Sequence, residues 1–222
     1  MITYKIYGMH SRDAMIANLK NQLDLDDTSV YYDDRPSGGL AIYTAKKAWL
    51  SPIESGETHR VVFPDDAMVC DGFKGISEKI IETHPDSIIS LFCWEGKQRD
   101  KRLENLSSPY LESRFVIGCG IIMPVKYIKP CFDWVKEVYD DNVADDAAIQ
   151  YWANENNIPI ITTIPSLVQH LGDDSILTPN ATIRKSAYFT KNPLADWTNK
   201  EVLSVPNNIF KPCGKKVIRV YG

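Results

Sequence analysis

The chain has 222 residues and a mass of 25.1 kDa, the size of one ordinary domain with or without a tail, and such a domain buries roughly 70% of its unfolded surface without needing staples. Hydrophobic residues at 44% and charged residues at 24% exclude a disordered, collagen-like or coiled-coil chain. The net charge of −4 divides into −10 over residues 1–182 (17 Lys+Arg, 27 Asp+Glu) and +6 over residues 183–222 (8 against 2), so a basic face for an anionic partner and a merely solvated tail are both open.

Short β-rich runs alternate with helical ones. Residues 3–8 (TYKIYG) read as a strand and residues 11–23 as an amphipathic helix capped by Ser11, with Met15, Leu19 and Leu23 on one face. Residues 29–32 form a second strand ending at Asp33-Asp34-Arg35-Pro36, Gly38-Gly39 marks a turn, and residues 40–50 read as helix. Residues 60–63 (RVVF) are a third strand that runs straight into Pro64-Asp65-Asp66, followed by a helix over 67–83 and a strand over 87–94. Residues 96–113 are expected as a long polar loop carrying the basic cluster Lys97, Arg99, Lys101 and Arg102. Beyond it come a buried strand over 114–123 broken by Gly118 and Gly120, a helix over 125–139, a helix capped by Asp145-Asp146 and running to 153, and a strand over 158–164 leading into PSLVQH.

Strand–helix alternation predicts an α/β fold: one Rossmann-like domain over residues 1–177, with a mostly parallel central sheet and helices on both faces. An irregular basic extension over residues 178–222 packs on the same domain. Ligands of such sheets bind beyond the carboxyl ends of the strands, which here carry Gly8-Met9-His10-Ser11-Arg12, then Asp33-Asp34-Arg35, then Asp65-Asp66. The opening MITYKIYGMHSRD lacks a signal-peptide core and no apolar run approaches the ~18 residues of a bilayer span. Five cysteines at 70, 93, 119, 131 and 213 are odd in number and never spaced CxxC, so reduced thiols in a cytoplasmic protein are expected.

Asp-Asp pairs occur six times, so adjacency alone says little. Asp65-Asp66 differs because it follows an apolar strand with no turn between. Two carboxylates there repel unless a cation sits with them, and Mg²⁺ or Mn²⁺ holding a diphosphate suits carboxylates plus phosphate oxygens; helix capping is the alternative. His170 can add a ligand from a distant segment, or be structural. Asp145 and Asp146 stand at a helix start, where capping explains one and a general base the other. Trp49, Trp134 and Trp152 read as core, Trp94 as a stacking platform for an acceptor, and His59 and His84 as solvent-facing. Cys119 has no base near it in sequence, which argues against a thiol nucleophile.

In their order, YGMHSRD after a strand, YYDD, RVVFPDDA with CDGF behind it, GCGIIMP, DDAAIQYW and IPSLVQH resemble the GT-A glycosyltransferases over roughly residues 3–177. The nearest likeness is to the small stand-alone chains of bacteriophages and bacteria. The resemblance implies a metal-dependent enzyme that moves a sugar from a nucleoside-diphosphate sugar, UDP-linked by family analogy, to an acceptor hydroxyl; a carboxylate at the base position favours inversion, with retention the alternative. It implies that His10, Ser11 and Arg12 line the nucleotide pocket and that Asp33, Asp34 or Arg35 meets the base or ribose. Asp65-Asp66 matches the DxD region with Pro64 at its first position; Asp66 is then a ligand of Mn²⁺ or Mg²⁺, Asp65 a nucleotide contact and His170 a second metal ligand. Asp145 or Asp146 matches the base, and Gly118, Cys119 and Gly120 the donor-sugar and acceptor pocket, where a bulged core strand is the alternative.

The acceptor is either a carbohydrate or a hydroxymethylated base in DNA, the latter using the basic tail and the 97–102 cluster as phosphate contacts. A nucleotidyltransferase and a non-catalytic nucleotide-binding module are the competing classes. The first wants a Gly-rich, basic first loop, where this chain has Gly8 and Arg12. P-loop, GxGxxG and HExxH patterns are absent.

Overall fold

The computed structural model describes residues 1–35, 41–93, 103, 105–171 and 185–204. In chain order the strands and helices are β1 (Ile2–Gly8), α1 (Asp13–Leu23), β2 (Val30–Tyr32), α2 (Ile42–Trp49), β3 (His59–Pro64), β4 (Ala67–Val69), α3 (Phe73–Thr83), β5 (Ile88–Ser90), β6 (Tyr110–Ser113), β7 (Ile121–Pro124), α4 (Val125–Tyr139), α5 (Asp145–Glu155), β8 (Ile160–Thr163) and β9 (Val168–His170). Among the described residues seven strands form one sheet in the order β2-β1-β3-β7-β5-β8-β6, and β4 and β9 form a separate two-stranded ribbon. Strands β1, β2, β3, β5 and β8 run one way, while β7 is antiparallel to both its neighbours and β6 is antiparallel to β8. The sheet is therefore mixed but mostly parallel, as the alternation of elements predicts.

Strand periodicity divides the core. Successive residues point to opposite faces, so Ile6, Val61, Phe63, Ile122 and Ile161 pack with Ile16 and Leu19 of α1 and Phe73 and Ile80 of α3. Their neighbours Tyr7, Val62, Ile121, Met123 and Ile160 pack with α2, α4 and α5 through Ala45, Trp49, Phe132, Ile149 and Trp152. Both faces of the sheet are thus covered, which is why its strands read as near-continuous apolar runs. Behind α2, the fully buried Arg60 donates to the carbonyls of Trp49 at 2.7 Å and Ser51 at 2.8 Å and pairs with Glu57. A cation meeting the unpaired carbonyls at a helix C-terminus is doubly favoured.

Several boundaries differ from the sequence reading. The helix expected over 67–83 is a short strand, a turn and then α3, whose N-cap Gly72 sits in the left-handed region at φ 69°; a residue with a Cβ is strained there. The strand expected over 114–123 begins only at Ile121, and the loop expected over 96–113 ends in β6. Strand β5 is confined to Ile88–Ser90. Ser11 does not cap α1, whose N-cap Arg12 makes no side-chain cap bond; a 3-10 turn over His10–Arg12 precedes it.

His59 does not face solvent, and His84 is half-buried. His59 is buried and its Nε2 meets the Pro85 carbonyl at 2.9 Å, and the His84 Nε2 is buried without a hydrogen-bond partner among the described residues. Trp49 and Trp152 are core residues, whereas Trp134 is only half-buried. The four described cysteines are buried. Part of the C-terminal extension packs firmly: the Tyr110 hydroxyl donates to the Trp197 carbonyl at 2.7 Å, and Leu203 exchanges backbone bonds with Tyr110 and Glu112. Trp94, the basic cluster at 97–102 and residues 205–222 lie outside the described residues. Among the described residues no helix is long and apolar enough to cross a membrane.

Candidate functional site

Because β1, β2 and β3 are parallel, their carboxyl ends fall along one edge; β7 is antiparallel to β3, so the segment entering it, residues 118–120, arrives at that same edge. The approach is close at Gly8, where a Cβ would stand 2.3 Å from the Asp65 Cβ. A glycine is therefore required for Asp65 to lie against the end of β1. Asp65 accepts hydrogen bonds from the Met9 N–H at 2.9 Å and from Arg12 Nη1 at 2.8 Å. The same Arg12 Nη1 donates to Asp66 Oδ2 at 2.5 Å. The cation demanded by two buried carboxylates is thus supplied by the chain itself.

His170 reaches this point through the ribbon. Register pairs Ala67 with His170, and the Leu171 N–H donates to the Asp66 carbonyl at 2.7 Å. His170 Nε2 then lies 3.1 Å from Asp66 Oδ2. Burial pushes the Asp65 carboxyl up from its ordinary value despite Arg12. Burial pushes Asp66 the same way, but His170 and Arg12 outweigh it and the net direction is down. Asp66 Oδ1 and His170 Nδ1 are buried and have no hydrogen-bond partner among the described residues.

The second carboxylate pair divides. Asp145 is 4% exposed, and its Oδ2 accepts the Tyr7 hydroxyl at 3.4 Å. Asp146 is half-buried and accepts N–H bonds from Gly118 at 3.2 Å and Ala147 at 2.8 Å. The N-cap of α5 is Ala144, so both aspartates stand in the first turn rather than at the cap. Burial first, then the neighbouring Asp146, pushes the Asp145 carboxyl up to about 7. Tyr7 is pushed well above the usual phenol range by burial and by the charges of Asp145, Asp146 and Asp66. Tyr7 therefore stands between the two acidic clusters and ties β1 to the start of α5.

The residues expected around the nucleotide ring are engaged with one another. Asp33 is pulled down to about 2 by Arg35, whose Nε and Nη2 lie 2.9 and 2.5 Å away. Asp34 is held by Lys47, and the Arg35 guanidinium lies 4.3 Å over the Tyr43 ring. His10 is exposed and stacks on Tyr32 at 3.9 Å, with the rings within 10° of parallel, while Ser11 is exposed beside it. A flat aromatic surface thus stands at the end of β2, a feature that the order of residues alone does not show.

Gly118 and Gly120 behave differently. A Cβ on Gly118 would touch Asp146 at ordinary contact distance, whereas one on Gly120 would press on Val168 and Phe63 at 3.0 and 3.2 Å. Cys119 packs into the core facing α1 and α3. Sequence reasoning misses Tyr7, and places Gly8 at the ligand end of its strand without giving it a role. Tyr7 reads as one more apolar strand position, and the signal for Gly8 is its place at a strand end opposite an Asp-Asp pair.

No protein-family model and no curated protein matches the chain. Among solved structures, A197 from STIV superposes with a TM-score of 0.48 and 10% identity over 85% of this chain and 100% of its own. A glycosyltransferase involved in the glycosylation of the major capsid of PBCV-1 superposes with a TM-score of 0.48 and 12% identity over 78% of this chain and 94% of its own. At scores below 0.5 neither overlap transfers a role to this chain.

The donor set can be tested against a divalent cation directly. Among the described residues no three His, Cys, Asp or Glu side chains gather to hold a metal ion. Asp66 and His170 nevertheless each carry one buried atom, Oδ1 and Nδ1, with no hydrogen-bond partner among the described residues. That suits a cation such as Mn²⁺ or Mg²⁺ that takes its other ligands from substrate phosphates and water.

Proposed function

We propose that the protein is a metal-assisted glycosyltransferase that moves a sugar from a nucleoside-diphosphate sugar to a carbohydrate hydroxyl, with inversion at the anomeric carbon. One observation carries the reading: His170 Nε2 and Asp66 Oδ2, from opposite halves of the chain, meet at 3.1 Å beside Arg12, and the other Asp66 oxygen is buried with no hydrogen-bond partner among the described residues. The sequence resemblance to GT-A enzymes supports the same assignment and favours UDP as the carrier. A DNA acceptor leans on the basic cluster at 97–102 and on Lys211, Lys215, Lys216 and Arg219, which lie outside the described residues, while Lys191 in the described part of the tail is engaged by Asp71.

When bound, a divalent cation on Asp66 and His170 would supply Lewis-acid neutralisation of the diphosphate leaving group. Arg12 contributes a second positive charge and a guanidinium fork that matches phosphate oxygens. His10 and Tyr32 offer a stacking surface for the base. Asp146, oriented by the Gly118 and Ala147 N–H groups, takes the proton of the acceptor hydroxyl as its oxygen attacks the anomeric carbon. The bond from that carbon to the diphosphate oxygen breaks, and a single displacement inverts the centre.

Thermal melts with a panel of nucleoside diphosphates, with and without Mn²⁺, test the reading. One diphosphate at about a hundred times its dissociation constant should raise Tm by roughly 5–11 °C in the presence of metal. Asp66→Asn and His170→Ala should each remove the metal-dependent part of that shift. No shift with any nucleotide overturns the assignment.

A further inference from the structure

Asp145 is a buried carboxyl group whose donors are the N–H groups of its own helix start and one phenol, with no cation beside it among the described residues. It is 4% exposed, and its one side-chain donor among the described residues is the Tyr7 hydroxyl, at the long distance of 3.4 Å. Among the described residues no Lys, Arg or His pairs with it, and its sequence neighbour is another carboxylate. An ionised carboxylate in such surroundings is costly, whereas a carboxylic acid is not. Asp146 differs in being partly exposed, so that water joins the Gly118 and Ala147 N–H groups in solvating its charge.

We propose that Tyr7 and Asp145 form a buried phenol–carboxylic acid pair that keeps one proton behind Asp146, leaving Asp146 as the charged member of the two. The functional half of this rests on the reading of Asp146 as the base of the proposed transfer. Asp145 is then a positioning residue: it keeps its own proton throughout, and the proton that Asp146 takes from the acceptor leaves to solvent. Tyr7 fixes Asp145 from β1, the strand whose end also carries the Arg12 segment, so the two acidic clusters are coupled through one phenol. The charged and titratable groups facing this pair are Asp146 on its own helix, Asp66 at the end of β3 and Cys119 before β7. From α2, Lys46 is committed to Asp141 and Lys47 to Asp34. None of them supplies positive charge to Asp145.

The test compares the full chain with Asp145→Asn, which keeps the shape of the neutral acid. A buried acid with its pKa moved up, here from 3.8 to about 7, stabilises the fold fully below its unfolded value, and that contribution is lost as pH rises through the folded value. Between those limits the Tm of the wild type minus that of the variant should fall by roughly 3–5 °C for each unit that the pH rises. At mildly acidic pH an infrared carbonyl band of a protonated carboxyl should be present in the wild type and absent from Asp145→Asn. A Tm difference constant with pH, or a band that survives Asp145→Asn, overturns the proposal. Tyr7→Phe serves if Asp145→Asn does not fold: loss of the phenol hydrogen bond should move the band to higher frequency, and an unmoved band overturns the pairing. In transfer assays the wild-type rate profile should show a second ionisation near neutrality that Asp145→Asn lacks, and an unchanged profile overturns the positioning role. Absence of any transfer by the wild type would instead sink the proposed function and leave the infrared and Tm results standing on their own.

Discussion

At Gly8, 2.3 Å separates the position of a Cβ from the Asp65 Cβ, a distance no pair of real side chains tolerates. Gly8→Ala must therefore displace Asp65, and with it the Met9 N–H and Arg12 bonds that hold that carboxylate. Overpacking of this kind costs about 1–3 kcal/mol, a fall in Tm on the order of 5 °C for a chain of this length. The larger effect should be on ligand response, because Arg12 bridges Asp65 and Asp66 and its placement depends on both. Melting Gly8→Ala with the nucleotide that stabilises the wild type checks this: the shift should shrink by more than half, and a full shift would show that Asp65 is not part of the site. Asp65 and Asp66 could be singled out from sequence because a charged pair with no turn after an apolar strand conflicts with burial. Tyr7 could not, since a tyrosine in an apolar strand satisfies every local pattern, and its role is set by a helix that begins far along the chain.

The ribbon of β4 and β9 is the element on which the metal-binding reading depends. Each strand has three residues, too few for alternation to register, and the apolar spacing after Ala67 fits a helix as well as a strand. Only tertiary pairing decides between them. The sequence does contain the signal that separates β4 from α3, the turn Cys70-Asp71-Gly72, and Gly72 in the left-handed region marks where helix begins. Pairing puts the Leu171 N–H 2.7 Å from the Asp66 carbonyl, which places His170 over the carboxylate. Leu171→Pro removes that donor while leaving His170 in the extended backbone its strand already uses. The bond is worth about 1 kcal/mol, so the fold should survive with a Tm lowered by only a few degrees. Titrating Mn²⁺ into the variant with nucleotide present should nevertheless give a response as weak as that of His170→Ala. A normal Mn²⁺ response would mean that His170 finds Asp66 without the ribbon, or plays no part in binding the cation.

Across the whole molecule, the buried ionisable groups oppose one another in pH dependence. His59 and His84 are held neutral by burial, with pKa values moved down from the ordinary 6.5. A group with a depressed folded pKa contributes stability that is fully present above its unfolded value and is lost as pH falls toward the folded value. Asp145 has its folded value raised to about 7, so its contribution is full below 3.8 and is lost as pH rises through the folded value. As pH falls from about 6.5 toward the folded values of the histidines, they therefore weaken the fold while Asp145 strengthens it. The alternation of apolar strands and helices made the sheet legible without any of this, because it reflects burial of whole faces. The charges were not legible, since whether His59 is solvated or buried depends on Pro85 and Thr58 closing over its ring. The wild-type Tm should accordingly vary little across this window, and Asp145→Asn should expose the histidine slope, melting progressively lower as the solution is acidified below neutrality. Adding His59→Gln, whose amide can still donate to the Pro85 carbonyl, should flatten part of that slope. Melting curves of the wild type, Asp145→Asn and the double variant decide the matter: a single variant that tracks the wild type at every pH would mean that the proton assigned to Asp145 is not there to oppose the histidines.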